Sequence, residues 1–289
     1  MFPCPRAVRH SLLRAATAFA LIIAGGAFDA SHAQGRLDAV YTITMARLSV
    51  GKGVWSADIG NDQYMTAASG SASGIISVLV SGEGSLATRG SIKDGRLLPA
   101  SFTSKITSDD EISELRMLLD GGNVKELVAP PIPSDKDRVL VTETHRQGIV
   151  DPLTALLIPV AGNGELLSFE ACQRSLPIFD GRRRYDLKLA FKRMDKVKAD
   201  KGYQGPVVVC SMGFQAIAGH RAGSLLVKYF SQGRDMEIWL APIAGTRVLA
   251  LFRLSVANIV GDIVIQASQF ETFAQASPRP SMTPDIKAP

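Results

Sequence analysis

The stretch PIFDGRRRYDLKL, residues 177–189, places three consecutive arginines directly after an Asp-Gly pair. Guanidinium groups are typical of sites that bind carboxylate or phosphate, because each presents several donors in a planar fork. An Asp-Gly pair between alternating apolar and polar residues is also a strong signal for a β-hairpin turn. The same residues therefore predict either an anion site or the far side of an ordinary hairpin.

The phase of the strand that follows the turn separates the three arginines. With a two-residue turn at Asp180-Gly181, the return strand begins at Arg182, and Tyr185 and the apolar residues after it point to one face. Arg182 and Arg184 then lie on the polar face and need no special partner. Arg183 shares the apolar face, where a buried and unpaired charge costs on the order of several kcal/mol. We therefore predict that Arg183 meets an acid or open water and is a functional or network residue.

A second candidate is the His220-Arg221 pair in AIAGHRAGS, residues 216–224, which follows the strand that carries Cys210. An exposed pair of this kind can contact a carboxylate or phosphate of a ligand or partner, whereas the arginine alone can also cap a strand edge. Both alternatives stay open. If Cys210 pairs with Cys172, this loop lies near the strand that precedes Asp180.

No motif for catalysis, cofactor binding or metal binding is strong enough to name a reaction. Beyond the leader described below, the histidines are His145 and His220, which are far apart in sequence, whereas zinc sites use clustered ligands. The chain lacks the Gly-x-Ser-x-Gly frame of a hydrolase elbow. Its glycine-rich stretches, residues 69–74 and 81–85, lack the lysine and helix of a phosphate-binding loop. We predict no catalytic residue, no cofactor and no metal ligand.

The N-terminus has the pattern of an export signal. A positive segment with Arg6, Arg9 and Arg14 precedes an uncharged apolar run, residues 15–27. Small residues then predict cleavage before Gln34 and a periplasmic location. An uncleaved membrane anchor is the alternative, but the apolar run is shorter than the roughly 20 residues that a spanning helix needs.

Charge and hydropathy limit the class of the mature protein. Residues 1–33 contain three arginines and one aspartate, so the formal charge falls from +5 for the whole chain to about +3. A charge this small on a chain of this length does not favour nucleic-acid binding. The sequence after the leader contains no segment long and apolar enough to predict a transmembrane helix.

Two cysteines, Cys172 and Cys210, remain after processing, because Cys4 lies in the leader. An even number in an exported chain predicts a disulfide, since the compartment is oxidising. Two buried free thiols are the alternative, because cysteine also packs as a small apolar residue.

Short strands are the elements that must position these residues. From Leu37 onward, β-branched and aromatic residues alternate with polar ones. Turn signals recur between these runs, at residues 51–53, 60–62, 93–95, 120–123, 180–181 and 244–246. Many short strands without βαβ alternation predict a meander. We therefore predict a mainly β fold, a single antiparallel open or spiral β-barrel.

The segment DPLTALLIPV interrupts this pattern and predicts one short helix over residues 151–158. Asp151 is a favourable N-cap, Pro152 suits the first helical position, and Pro159 ends the run. The leucines between the prolines share one helix face. We expect this helix to pack on the concave side of the sheet, as plain core or as part of a lid.

The predicted domain organisation is a signal peptide (residues 1–33), one β-barrel-like domain (residues 34–273) and a tail (residues 274–289). The tail is rich in Pro and Ser and poor in large apolar residues. Such a segment buries too little surface to offset its ordering entropy, so we expect it to be disordered.

Six motifs occur along the chain in this order: AVYTITMARLSVGKGVWSADIGNDQY, DPLTALL, LPIFDGRRRYDL, GYQGPVVVC, IAGHR and DMEIWLAP. Together they resemble the exported domain-of-unknown-function family 3108, and the resemblance spans residues 37–272. It implies a periplasmic β protein of Gram-negative bacteria, with no activity or cofactor to carry over. In size, compartment and paired cysteines the chain is also similar to envelope-integrity β-spiral proteins, which implies an open, spiralling barrel with a structural role.

Two functions are compatible with these features. The first is a non-enzymatic periplasmic envelope protein that binds an apolar ligand, such as a lipid or lipoprotein chain, in the curved sheet, or a protein partner at its rim. Arg183, His220 and Arg221 are the candidate contacts. A purely structural module without a cavity is a variant of this function. The second is an envelope hydrolase or transferase with His220 as the base, which requires a carboxylate beside the imidazole.

We expect mass spectrometry of the mature protein, alkylated without reductant, to find neither Cys172 nor Cys210 modified. Closing this loop stabilises the fold by about 4 kcal/mol if the lost entropy of the unfolded chain is the cause. Reduction before alkylation is the control and should expose both thiols. Two modified cysteines without reductant would show that the bridge does not form.

Overall fold

The structure, a computed structural model, describes residues 34–73, 82–108, 111–131, 137–232, 235–257 and 261–275. The predicted signal peptide and residues 276–289 of the predicted tail lie outside the described residues.

The N-terminal half of the described chain is an antiparallel meander in which each strand pairs with the next. We call it the N-terminal meander. Its strands are β1 (Gln34–Met45), β2 (Leu48–Ile59), β3 (Gln63–Ala72), β4 (Gly82–Lys93), β5 (Arg96–Ser108), β6 (Glu111–Asp120) and β7 (Asn123–Val128).

The C-terminal half extends the same sheet from the other side of β1. Its strands are β8 (Leu157–Pro159), β9 (Arg174–Phe179), β10 (Arg184–Lys198), β11 (Lys201–Gly202), β12 (Gln204–Ala218), β13 (Met236–Pro242), β14 (Val248–Val256) and β15 (Ile263–Gln275). β15 pairs with β1, and the order continues through β14, β13, β12 and β10 to β9. The short strands β8 and β11 pair with β14 and β15. Within the described residues, the result is one open sheet of 15 strands with β7 and β9 at its ends.

Alternation along each strand places one face in the core. In β1, Leu37, Ala39 and Tyr41 are buried. Arg36 and Asp38 point to the opposite face, where Nε of the arginine lies 2.8 Å from the carboxylate. This is the period of two that the sequence shows, because successive side chains of a strand leave opposite faces.

The dipeptide Ile149-Val150 hydrogen-bonds to the edge strand β9 and to the turn between β6 and β7. The Ile149 N–H donates to the carbonyl of Gly122, in the turn between β6 and β7, at 2.8 Å. The Val150 N–H donates to the carbonyl of Pro177 in β9 at 2.8 Å, and its carbonyl accepts from the Phe179 N–H at 3.0 Å. Exposed edge groups are a liability in open sheets. This dipeptide satisfies part of the β9 edge and links it to the β6–β7 turn.

The next residue, Asp151, has a fully buried side chain. Its Oδ1 atom accepts hydrogen bonds from the N–H groups of Leu153 (2.9 Å) and Thr154 (3.0 Å) and from the Thr88 hydroxyl (2.8 Å). The Thr154 hydroxyl donates to Oδ2 at 2.5 Å and also lies 2.8 Å from the Tyr64 hydroxyl. The carboxylate therefore joins its own turn to β3 and β4.

The helix predicted over residues 151–158 is wrong. The chain makes a single 3-10 turn at Thr154–Leu156 and then enters β8. There, Ile158 pairs with Leu249 of β14. Asp151 does cap the turn, but the backbone groups after it find partners on β14 rather than within a helix. Sequence periodicity cannot separate a short apolar strand from a buried helix.

The one short α-helix of the described residues is α1 (Leu225–Ser231), which the sequence analysis did not predict. The Ser224 hydroxyl caps it by accepting from the Val227 N–H at 3.4 Å. The predicted fold class, a mainly β open antiparallel sheet with one short helix, is confirmed. Within the part of the chain that the structure describes, no helix is both long enough and apolar enough to cross a membrane.

The two cysteines meet between a short turn and the sheet. Cys172 ends a 3-10 turn, Phe169–Cys172, and Cys210 lies in β12. The pair is at disulfide distance, with the Cα atoms 5.5 Å apart.

The last strand extends past the predicted end of the domain. β15 runs to Gln275, two residues into the segment predicted to be a tail.

We predict that Asp151 makes the protein less stable as the pH rises. Burial raises the pKa of Asp151 above its ordinary value of 3.8, although hydrogen bonds from Thr154, Thr88 and Leu153 oppose the shift. The folded protein therefore binds this proton more tightly than the unfolded chain does. This contribution to stability is full below the unfolded pKa and is lost as the pH rises through the raised, folded pKa.

The matched variant is Asp151→Asn, whose amide has a similar shape but does not titrate. In thermal unfolding at about pH 4.5 and about pH 7.5, wild type should lose stability relative to this variant at the higher pH. Asp151→Ala should lose about 3 kcal/mol relative to wild type at the lower pH, because buried donors are left unpaired, and less at the higher pH, where wild type itself has lost stability. The same pH dependence in wild type and Asp151→Asn would contradict the prediction.

Candidate functional site

The connection between β9 and β10 is longer than the two-residue turn predicted for it. β9 ends at Phe179 and β10 begins at Arg184. Between them, Oδ1 of Asp180 accepts hydrogen bonds from the backbone N–H groups of Arg182 (2.8 Å) and Arg183 (2.6 Å). Both arginines therefore belong to the turn, and the strand phase predicted for them is wrong.

Arg184, rather than Arg183, is the buried arginine of the triplet. Its side chain is 11% exposed, and Nη1 donates to Oδ1 of Asp186 at 2.5 Å and to the carbonyl of Tyr185 at 2.7 Å. Arg183 is exposed. No acid of the described ranges forms an ion pair with Arg183. Arg183, for which the sequence predicted an acid or open water, meets water, and the arginine with an acidic partner is its neighbour Arg184.

Two glycines allow this turn to lie close to other strands. Gly219 has a φ of +80°, and a Cβ atom there would lie only 2.9 Å from the Cα of Arg183. Gly181, with a φ of +87°, packs against the side chain of Leu115 in β6. Only glycine tolerates both this conformation and this approach. The consequence is that Arg183 lies beside the His220 loop.

The turn, β10, β12 and α1 surround a cavity of about 590 Å³, which we call the α1 cavity. The three residues that the sequence analysis proposed as contacts, Arg183, His220 and Arg221, all line it. Much of the remaining wall is apolar and includes Tyr185, Leu187, Met212, Phe214, Phe230 and Met236. The candidate residues are therefore brought together, and their role in binding stays a prediction.

A chain of aromatic contacts holds α1 against the sheet. The ring centroids of Tyr185 and Phe214 are 5.6 Å apart, and those of Phe214 and Phe230 are 6.3 Å apart. Within α1, Tyr229 and Phe230 are 5.5 Å apart. These separations are typical of favourable ring pairs. Burial raises the pKa of Tyr185 above its ordinary value, so its hydroxyl stays protonated near neutral pH.

Cationic side chains reach the cavity from a further segment as well. Residues 138 and 139 run beside the His220 loop, where Val139 N–H donates to the His220 carbonyl at 2.9 Å. Nη1 of Arg138 donates to the Gly219 carbonyl at 2.6 Å. The buried atoms Nε of Arg138 and Nδ1 of His220 have no hydrogen-bond partner within the described residues. Of the described lining residues, Asp180 is the one acid.

The surroundings of His220 differ from those of a catalytic base. Across the described ranges, no carboxylate hydrogen-bonds to its half-buried ring, and Nδ1 is unpaired. A general base is normally oriented by such a group. The described residues also contain no group of three or more His, Cys, Asp or Glu side chains that could hold a metal ion.

A larger hollow of about 990 Å³ lies on the exposed face of the N-terminal meander. Its lining is rich in small side chains, such as Ala67, Ser69 and Ser85. Charges in it are partly paired already, since Nζ of Lys105 lies 3.0 Å from the Glu114 carboxylate. Four acids line it, Asp38, Glu114, Glu126 and Glu271, whereas Asp180 is the one acid among the described lining residues of the α1 cavity.

Sequence reasoning did not identify Arg138, Arg184 or the helix α1 as parts of the site. Arg138 carries no local signal, because only the fold brings its segment beside His220. Arg184 was assigned to a solvated face through the wrong turn length. The helix had a usable signal, a serine N-cap at Ser224 before the apolar run at residues 225–230.

We predict that substitution of Arg184 destabilises the protein and that substitution of the neighbouring Arg183 does not. Arg184→Ala should lower the free energy of unfolding by about 2 kcal/mol, because it removes a charged hydrogen bond and leaves Asp186 unpaired. Arg183→Ala should change it by less than about 0.5 kcal/mol, because Arg183 is exposed and forms no ion pair within the described residues. Urea unfolding of both variants measures the difference. Equal destabilisation would mean that the triplet acts as one unit.

Comparison with known proteins gives a family and distant structural neighbours. No curated protein matches the chain at a significant level. A β-barrel-like protein of the domain of unknown function DUF1849 from Brucella abortus is 10% identical to this chain, with a TM-score of 0.43. The alignment covers 84% of this chain and 98% of that protein. A candidate lipoprotein from Parabacteroides distasonis is 9% identical to this chain, with a TM-score of 0.29. The alignment covers 83% of this chain and 96% of that protein. The family described as "Protein of unknown function (DUF3108)" matches residues 40–267, so the chain belongs to this family, as its motifs predicted.

Proposed function

We propose that this protein is a non-enzymatic cell-envelope protein that binds an amphipathic ligand, an acyl chain with an anionic head group, in the α1 cavity. The observation that carries the proposal is the presence, around one cavity, of an apolar wall and of cationic residues from three segments of the chain. This assignment narrows the predicted ligand from any apolar molecule to one with a negative charge at one end.

The size and the wall of the cavity suit an acyl chain. Its volume of about 590 Å³ lies within the range of about 300–1,000 Å³ that is usual for small-molecule sites. Met212 and Met236 line it, and the flexible methionine side chain adapts to irregular apolar ligands. Each methylene group removed from water contributes about 0.8 kcal/mol to binding.

The cationic residues suit a carboxylate or a phosphate. Arg183 is exposed and unpaired within the described residues, so its guanidinium donors are available. Arg221 adds a second guanidinium to the lining, and charge-assisted hydrogen bonds from guanidinium to carboxylate or phosphate are stronger than neutral ones.

We further propose that the protein acts in the periplasm after cleavage before Gln34. The Cys172–Cys210 pair at disulfide distance supports an oxidising compartment. The enzymatic alternative, an envelope hydrolase or transferase with His220 as the base, has no carboxylate beside the imidazole to support it within the described residues.

Binding of cis-parinaric acid, a fluorescent fatty acid, tests the cavity. Wild type should bind it, and Ala216→Trp should bind at least about tenfold more weakly, because the new ring fills space that Ala216 lines. Gln215→Trp is the matched control, since Gln215 is the adjacent residue of β12 and is exposed. If both variants bind as wild type does, the ligand does not occupy the α1 cavity.

The methyl ester of the same probe tests the head group. Arg183→Ala should weaken binding of the acid by about fivefold to tenfold and leave binding of the neutral ester unchanged. Because this variant is expected to fold normally, lost affinity reports a lost contact. An unchanged affinity for the acid would remove Arg183 from the site.

A further inference from the structure

We infer that the mouth of the α1 cavity docks on an anionic lipid surface, from which the ligand enters the cavity. The inference rests on the proposed ligand-binding function and adds the surface that supplies the ligand. The docking surface consists of two exposed leucines, Leu140 and Leu225, with the cations Arg183, Arg221 and Lys228 near them.

Leu140 is 81% exposed, although backbone hydrogen bonds hold the residue before it, Val139, in place. It lies two residues after Arg138, which lines the cavity. Between them, the N–H and carbonyl of Val139 hydrogen-bond to His220 at 2.9 Å and to Gly219 at 2.8 Å. The backbone therefore holds this leucine beside the cationic residues of the cavity.

Leu225 is also 81% exposed and is the first residue of α1. It follows Ser224, which lines the cavity and caps the helix. The Ser224 N–H donates to the carbonyl of Arg221 at 3.1 Å, so the leucine, like Leu140, is held close to the His220 loop.

These two leucines have the highest exposure of the large apolar residues that the structure describes. A single exposed leucine is ordinary in any soluble protein. Here two of them flank one cavity from different segments of the chain, and neither contributes to the core. Apolar residues beside cations are typical of surfaces that lie in the interface of a membrane.

The charge near the mouth favours an anionic lipid surface over a protein partner. Arg183 and Arg221 line the cavity and Lys228 is exposed on α1, against the exposed acid Asp137, whose backbone carbonyl accepts from the Ala222 N–H at 2.9 Å. Basic residues close to an anionic membrane are attracted to it. Asp180, the acid of the described lining, already accepts two backbone N–H groups of its own turn. Two separate leucines also present less apolar area than a stable protein interface needs.

Vesicle flotation tests this docking surface. Wild type should float with vesicles of phosphatidylethanolamine and phosphatidylglycerol but not with phosphatidylcholine vesicles. The double variant Leu140→Asp/Leu225→Asp should reduce the bound fraction at least about tenfold, because carboxylates replace both apolar contacts. The matched control is Leu48→Asp/Ile112→Asp, since both leucine and isoleucine are 60% exposed on the N-terminal meander. It should float as wild type does.

Binding of cis-parinaric acid in vesicle-free solution separates the two proposals. If the double variant keeps this binding and its melting temperature but loses flotation, the docking surface is supported. If the wild type binds the probe but does not float, or if both double variants float equally, the docking inference is overturned. Failure of the wild type to bind the probe in solution overturns the ligand-binding proposal and, with it, this inference. A leucine-dependent complex with an envelope protein in place of vesicles overturns the choice of a lipid surface.

Discussion

The backbone groups at the edge of an open sheet need partners, and in this protein the dipeptide Ile149-Val150 pairs with the edge strand β9 and hydrogen-bonds to the β6–β7 turn near the other end of the sheet. The residue that follows is Asp151, whose buried carboxylate joins this crossing point to the N-terminal meander through Thr88. Burying a carboxylate without a cation is costly, and the cost is offset here by hydrogen bonds from nearby donors. The position of the crossing segment is thus specified by polar contacts, which have direction, rather than by apolar area, which has none.

The open sheet also explains why a cavity is present between its C-terminal strands. A closed barrel fills its interior with side chains from all sides. Here the faces of β10 and β12 near the turn are covered by α1, a helix of 7 residues. The Phe230 ring contacts Phe214, which in turn contacts Tyr185, and these ring pairs hold the helix on the sheet. Because this helix is short, it covers only part of these strands and leaves the α1 cavity beside it. The turn with Arg183 lines this cavity.

The hairpin shows how far local reasoning reached. The Asp-Gly pair did predict the turn, and Tyr185 and Leu187 do share the face that alternation assigns them. The error was the length of the turn, because the Asp180 side chain accepts two N–H groups and delays the start of β10 to Arg184. A shift of this size moves the buried arginine by one residue. Turn length depends on a side-chain contact that the pattern of apolar residues does not report.

By itself, the sequence determined the properties that depend on neighbours along the chain: alternation with period two, the positions of the turns, the pairing of two cysteines and the family. Only the tertiary structure decided that Arg138, Arg183 and His220 line one cavity, and that residues 157–159 form a strand rather than the end of a helix. The reason is physical. Alternation and turn chemistry are local, whereas the partner of β8 is β14 and the neighbour of the β9–β10 turn is Gly219, both far away in sequence. Contacts of that kind exist only once the sheet has formed.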